Sequence, residues 1–188
     1  MRIVRSSRFD NEVGERYEGL PLSSTIHGPP NGHFDRYERK VEIQAGGSPD
    51  SAFDATRERL MSYDVFPPSM LRAAICPNGT LTPGSTIVQR ARLGPVWLES
   101  AVRVVDVWNT VTTDGRSSGF AYVTLIGHPE RGVATFAVEM RHSEVWVVLT
   151  ARSESGTAIT RLGRPISRLA QQALTRRAVY RLSRVSAQ

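Results

Sequence analysis

Between residues 85 and 152 apolar and polar positions alternate with a period of two, and the alternation is broken at short intervals by turn residues. The runs TIVQRARL, VWLESAVRVVDVW, GFAYVTLI, VATFAVEM and EVWVVLTAR are separated by Gly-Pro, Thr-Asp-Gly, Gly-His-Pro and Arg-His-Ser. This predicts an antiparallel meander. Its centre is the hairpin 119–140, where Phe120, Tyr122 and Thr124 alternate with Ala121, Val123 and Leu125, and Thr135, Ala137 and Glu139 alternate with Phe136, Val138 and Met140.

The flanking segments carry a different period. HFDRYERKVEIQ (33–44) takes on strand character toward its end and predicts the first strand. Ser48-Pro49-Asp50 offers an N-cap with proline at the first helical position, so a helix is expected from about 49 to 63, stopping before Pro67-Pro68. A long amphipathic helix is predicted over roughly 158–184, with Leu162, Ile166, Leu169, Ala173 and Tyr180 on one face and the arginines mostly on the other. Residues 1–31 are polar, end in SSTIHGPPNG and predict a lead-in segment, leaving 32–188 as a single domain. Strand, helix, meander and long C-terminal helix is the element order of an α+β helix-grip fold, in which a curved antiparallel sheet wraps the last helix around an internal hydrophobic cavity.

Composition narrows the function classes. A chain of 188 residues with 40% apolar content supports one core. Cys76 is the only cysteine, which excludes an internal disulfide and points to the reducing cytoplasm. No apolar run reaches the roughly 20 residues of a membrane span, and MRIVRSSRFDNE has no signal-peptide core. The net charge of +6 is almost all arginine, Lys40 being the single lysine. No zinc-finger spacing or ribonucleoprotein motif accompanies it, so nucleic acid is not the expected partner. His27, His33, His128 and His142 lack metal-ligand spacing, and no phosphate-cradling loop or catalytic triad is present, so no metal and no cofactor is expected.

The stretches YERKVEIQAGGSPDSAFDATRERL, VRVVDV, GFAYVTLIGHPERG and PISRLAQQALTRRAVYRL together resemble the family of domain of unknown function nineteen-ninety. The resemblance runs from about Arg36 to Leu182, and Phe120-Ala121-Tyr122 with Thr124-Leu125 and Gly127-His128-Pro129-Glu130 is its most specific part. That family is similar to the SRPBCC superfamily of START-type lipid carriers, birch-pollen-allergen-like proteins and aromatic polyketide cyclases. The resemblance implies a helix-grip fold with a hydrophobic cavity and brings no established activity. Val123 stands where the family usually has glycine, Val133 and Ala134 where it has acidic residues, and Ser153-Glu154-Ser155 where it has Ser-Arg-Pro. A divergent member is expected.

Candidate ligand contacts are the polar and aromatic residues of the meander: Tyr122, Thr124, Glu139, Trp97, Trp108, Trp146 and Arg92. A Glu139 carboxyl in an apolar cavity would have a raised pKa and could move a proton, with Tyr122 donating to a ligand carbonyl. The expected function is binding of a hydrophobic small molecule, such as a lipid, isoprenoid or polyketide, between the sheet and the C-terminal helix. The alternative is a non-redox cyclase or isomerase using Glu139 and Tyr122 in the same cavity. Oligomeric state, including a homo-oligomer, is left open by the sequence.

Overall fold

A computed structural model describes residues 1–113, 115–155 and 164–184 of the chain. In order the elements are β1 (Arg2–Val4), a 3-10 turn (Glu15–Tyr17), β2 (His33–Lys40), α1 (Pro49–Met61), β3 (Leu71–Cys76), β4 (Thr86–Leu93), β5 (Val96–Thr112), β6 (Gly115–Thr124), β7 (Glu130–Arg141), β8 (Glu144–Ser155) and α2 (Arg164–Ser183). The sheet runs β2-β8-β7-β6-β5-β4-β3, with β1 added to β5. Every pairing is antiparallel. The sheet curves over α1 and α2 without closing, which is the expected helix-grip architecture.

Local chemistry sets the first helix. The Ser48 side chain accepts from the Ser51 amide while the Ser51 hydroxyl accepts from the Ser48 amide, a capping box with Pro49 just inside it. The helix ends at Met61, and Tyr63 follows with φ of 58°, a left-handed conformation unusual for a bulky residue. That reversal turns the Tyr63 ring back under the sheet, where it is 6% exposed.

Two cores sandwich the sheet. On its concave face Phe53 and Leu60 of α1 and Ala178, Val179 and Leu182 of α2 pack against Val104, Phe120, Phe136 and Val147. The outer face is covered by the N-terminal segment, whose Val13 and Tyr17 pack on Val88, Ala101 and Leu125. Beneath that segment Arg90 of β4 pairs with Glu99 of β5, its register partner. Glu99 has no exposed surface and also accepts from the Tyr17 hydroxyl at 3.0 Å. Burial and the neighbouring carboxylate push the Tyr17 phenol up to about 12. Arg90 further donates to the Ser6 and Arg8 carbonyls and lies over the Phe9 ring. Residues 1–31 are therefore laid onto the body: Met1 donates to the Gly127 carbonyl, and Ser23 hydrogen-bonds Thr124.

The phase of the last helix differs from the expected one. Leu174, Ala178, Val179 and Leu182 form the packed row, whereas Ala173 is exposed and Tyr180 is 43% exposed. Tyr180 instead sits between the guanidinium groups of Arg39 and Arg184, 5.0 and 4.7 Å from its ring centre, an arrangement that satisfies an aromatic at the surface. Leu162 lies outside the described residues, as do the side chains of Ile166 and Leu169. Among the described residues no helix is long and apolar enough to cross a membrane.

Candidate functional site

Register decides which residues of the meander share a face. Phe120 pairs with Phe136 and Tyr122 with Ala134, so these side chains lie together on the concave side. Their rings form one cluster: Phe120 and Phe136 stack at 5.1 Å, Tyr122 lies 5.5 Å from Phe136, and Tyr63 lies 5.8 Å from Phe120 and 6.0 Å from Phe66. Phe120 is fully buried, whereas Tyr122 is only half-buried.

A polar group is set into this aromatic shell. Gln89 of β4, paired with Ala73 and Ser100 on the concave side, donates from Nε2 to the Tyr63 hydroxyl at 2.5 Å. Tyr122 lies in the same ring cluster, and both of these side chains act on its phenol. Burial lifts the Tyr63 phenol well above its ordinary value and raises that of Tyr122, the latter against the opposing pull of Gln89 and Tyr63. All three groups are thus neutral at physiological pH. From Tyr63 an open groove of about 830 Å³ leads outward along the edge strand β3, where Phe66, Leu71 and Ile75 share the lining with Arg8, Asp64 and Arg72.

The other candidates from the sequence stand elsewhere. Glu139 pairs with Ser117 and Trp146, on the phase opposite to Phe136, and its carboxylate accepts from Arg141 at 2.6 Å. Trp146 carries the Arg141 guanidinium over its ring on that same outer face. Trp108 lies across from Gly119 on the outer side and donates to Ser117. A Cβ on Gly119 would come within 2.2 Å of the Phe136 carbonyl oxygen and 2.6 Å of the Trp108 ring, so this strand position requires glycine. Trp97 and Arg92 are register partners at the outer end of the β4–β5 hairpin, where Arg92 is exposed and donates to Gly94. Thr124 is buried but bonds Ser23 and Gly132, tying the N-terminal segment to the sheet. Tyr122 alone of these residues joins the aromatic cluster. Gln89 and Tyr63, which complete it, carry no sequence motif. Among the described residues no three His, Cys, Asp or Glu side chains converge on a possible metal position.

His128, in the most specific part of the hairpin motif, shapes the turn between β6 and β7. Its Nδ1 lies 3.1 Å from the Glu130 amide, and burial holds the imidazole down at about 4. The folded state therefore binds the proton less well than the unfolded chain, with its ordinary value of 6.5. The stabilisation is complete above pH 6.5 and is lost progressively as pH falls toward 4. Between pH 7 and 4 this group should cost about 2–3 kcal/mol. Denaturant midpoints at the two pH values should show that loss in the wild type and a much smaller one in His128→Asn.

The profile of the family described as domain of unknown function (DUF1990) matches residues 15–181. The chain belongs to the DUF1990 family. No curated protein matches the sequence. Among solved structures, the protein TTHA0849 from Thermus thermophilus has the same fold at 12% identity and a TM-score of 0.52, over 80% of this chain and 94% of that one. Truncated norcoclaurine synthase from Thalictrum flavum aligns at 12% identity and a TM-score of 0.46, over 85% of this chain and 96% of that one. The protein Ara h 8.0201 aligns at 9% identity and 0.45, over 80% and 97%. In this DUF1990 protein, the hydrogen-bonded Tyr63–Gln89 pair sits beside the aromatic cluster of the concave side.

Proposed function

We propose that this DUF1990 protein binds a hydrophobic small molecule, of lipid, isoprenoid or polyketide-like character, between the concave face of the sheet and the C-terminal helix. The observation that carries the reading is the concave aromatic cluster of Tyr63, Phe66, Phe120, Tyr122 and Phe136, of which Tyr63 and Phe66 also line an open groove at the sheet edge. Apolar burial would supply most of the affinity, about 0.8 kcal/mol for each methylene taken out of water. The single cysteine supports a cytoplasmic setting. Binding is favoured over the cyclase or isomerase alternative because Glu139 and Tyr122, the two groups that would share proton transfer, lie on opposite faces of the sheet.

Native mass spectrometry of freshly purified protein, followed by denaturing extraction, tests this directly. The expected result is a bound apolar compound, or stoichiometric uptake of an apolar fluorescent probe by the empty protein. A protein that is empty and takes up no probe would overturn the reading.

A further inference from the structure

The groove beside β3 runs along a free edge of the sheet. β3 pairs with β4 on one side and with no strand on the other, so one row of its backbone groups faces outward. The Arg92 amide donates to the Met70 carbonyl, and in the ladder register this turns the backbone groups of Arg72, Ala74 and Cys76 toward β4. Those of Leu71, Ala73 and Ile75 point away. Two of the outward groups are used locally, the Leu71 amide donating to Pro67 and the Ile75 carbonyl accepting from Gly79. The Leu71 carbonyl, both Ala73 groups and the Ile75 amide have no partner among the described residues. Side chains add to this row. Leu71, Ala73 and Ile75 lie on the concave side, where Phe66 also packs, whereas Arg72 takes the opposite phase and shares the groove with Arg8 of the N-terminal segment. Both arginines are exposed, and neither guanidinium meets a carboxylate among the described residues. Asp64, the one carboxylate in the lining, is taken by Arg59 and Arg181. The other edge strand differs: on β2 Arg36 pairs with Glu38, Arg39 with Glu42 and Lys40 with Glu144.

We propose that the β3 edge docks an extended peptide segment of a partner protein, which adds to the sheet as a further antiparallel strand and alternates apolar with acidic side chains. The partner residues opposite Leu71, Ala73 and Ile75 form backbone hydrogen bonds with the four open groups and lay apolar side chains against Phe66, Leu71 and Ile75. The residues between them point to the outer side. There a carboxylate meets Arg72 and Arg8 in a charge-assisted pair, and a basic segment is repelled by the same two charges. A second copy of this chain fits less well, because edge-to-edge pairing would set the Arg72 of each copy on one face of the joined sheet. The proposal goes beyond the small-molecule reading, which concerns the concave face.

The test titrates the full chain into the fluorescently labelled peptide Ser-Val-Glu-Val-Glu-Val-Ser and follows anisotropy, with amide hydrogen exchange measured on the complex. N-methylation of the central valine, whose N–H faces β3, should weaken binding about 10-fold or more, whereas N-methylation of a glutamate, whose N–H faces away, should change it less than about 2-fold. Exchange at Ala73 and Ile75 should slow on binding. Arg72→Glu, an exposed substitution whose urea midpoint reports an intact fold, should weaken the peptide about 10-fold and favour its lysine-for-glutamate counterpart. An equal loss from the two N-methyl peptides, or exchange at Ala73 and Ile75 that does not respond, would overturn strand addition. Binding that is indifferent to Arg72→Glu would overturn the acidic preference, and no binding at about 1 mM peptide would overturn the site. Protection at Ala73 and Ile75 that rises with protein concentration in the absence of peptide would make the occupant a second copy and also overturn the proposal.

Discussion

Replacing Glu99 by glutamine is expected to destabilise the protein by about 3–5 kcal/mol, because it leaves the Arg90 guanidinium buried without its countercharge. Arg90 is 3% exposed and Glu99 not at all, and they are held together by two guanidinium donors on one carboxylate oxygen. The other carboxylate oxygen accepts from Tyr17 and has Arg2 at 3.6 Å and Arg16 at 3.9 Å, so several N-terminal contacts converge on this one group. Loss of the charge should therefore weaken the seating of the N-terminal segment as well as the strand pair. Urea denaturation measures the stability loss, and limited proteolysis between residues 5 and 16 measures the seating. The double variant Arg90→Met/Glu99→Leu should recover much of the loss, since a buried pair replaced by apolar side chains no longer requires desolvated charge. If Glu99→Gln shifts the midpoint by less than the equivalent of about 1 kcal/mol, the pair is not the anchor argued for it.

A loss of similar size is expected from Phe136→Ala, on the opposite side of the sheet. Phe136 touches every ring of the concave cluster: it stacks on Phe120 and lies 5.5 Å from Tyr122, 6.3 Å from Phe66 and 6.4 Å from Tyr63. It is 2% exposed. Truncating such a side chain removes its transfer free energy and leaves a cavity, together costing about 3–5 kcal/mol. The vacated space adjoins Tyr122, so the variant should bind bulkier apolar probes than the wild type does. Thermal or urea unfolding reads the first effect and probe titration the second. Gly119→Ala, whose new Cβ would collide with backbone, should destabilise without enlarging the site.

How much of this is legible in the sequence differs between fold and site. The β4 run TIVQRARL corresponds to Thr86–Leu93, and the capped helix expected over 49–63 spans Pro49–Met61, because period and capping are local properties. Strand ends are less legible. β5 continues from Trp108 to Thr112, and β6 begins at Gly115 rather than Gly119, so a polar stretch is drawn into the ladder by its neighbours. β3 escapes sequence reasoning, since LRAAIC is short, carries an arginine and follows Pro67-Pro68. The curved sheet and C-terminal helix agree with the expected class.

The site depends on information that a single strand does not hold. Tyr122 and Glu139 each alternate correctly along their own strands, but the pairing across the turn places Tyr122 opposite Ala134 and puts Glu139 out of phase. Gln89 and Tyr63 meet through β4 and the end of α1, 26 residues apart, with no spacing rule to connect them. Among the arginines of β4 and β5, Arg92 is a candidate ligand contact from sequence and is exposed at the hairpin end. Arg90 is buried instead under the N-terminal segment, and Arg103 donates to the Tyr17 carbonyl, because that segment supplies a second core on the outer face. Nothing in the polar composition of residues 1–31 signals such a cover.

The central claim is that an apolar ligand is held on the concave face and nowhere else. Methyl NMR titration with 2-acetylnaphthalene tests it most directly, using intermolecular contacts between the naphthalene ring and assigned side chains. The account predicts contacts to Val104, Val107, Ala134 and Ala151 of the concave side and none to Val13, Val88 or Ala101 of the outer core. Contacts confined to the outer core, or spread evenly over both faces, would contradict it.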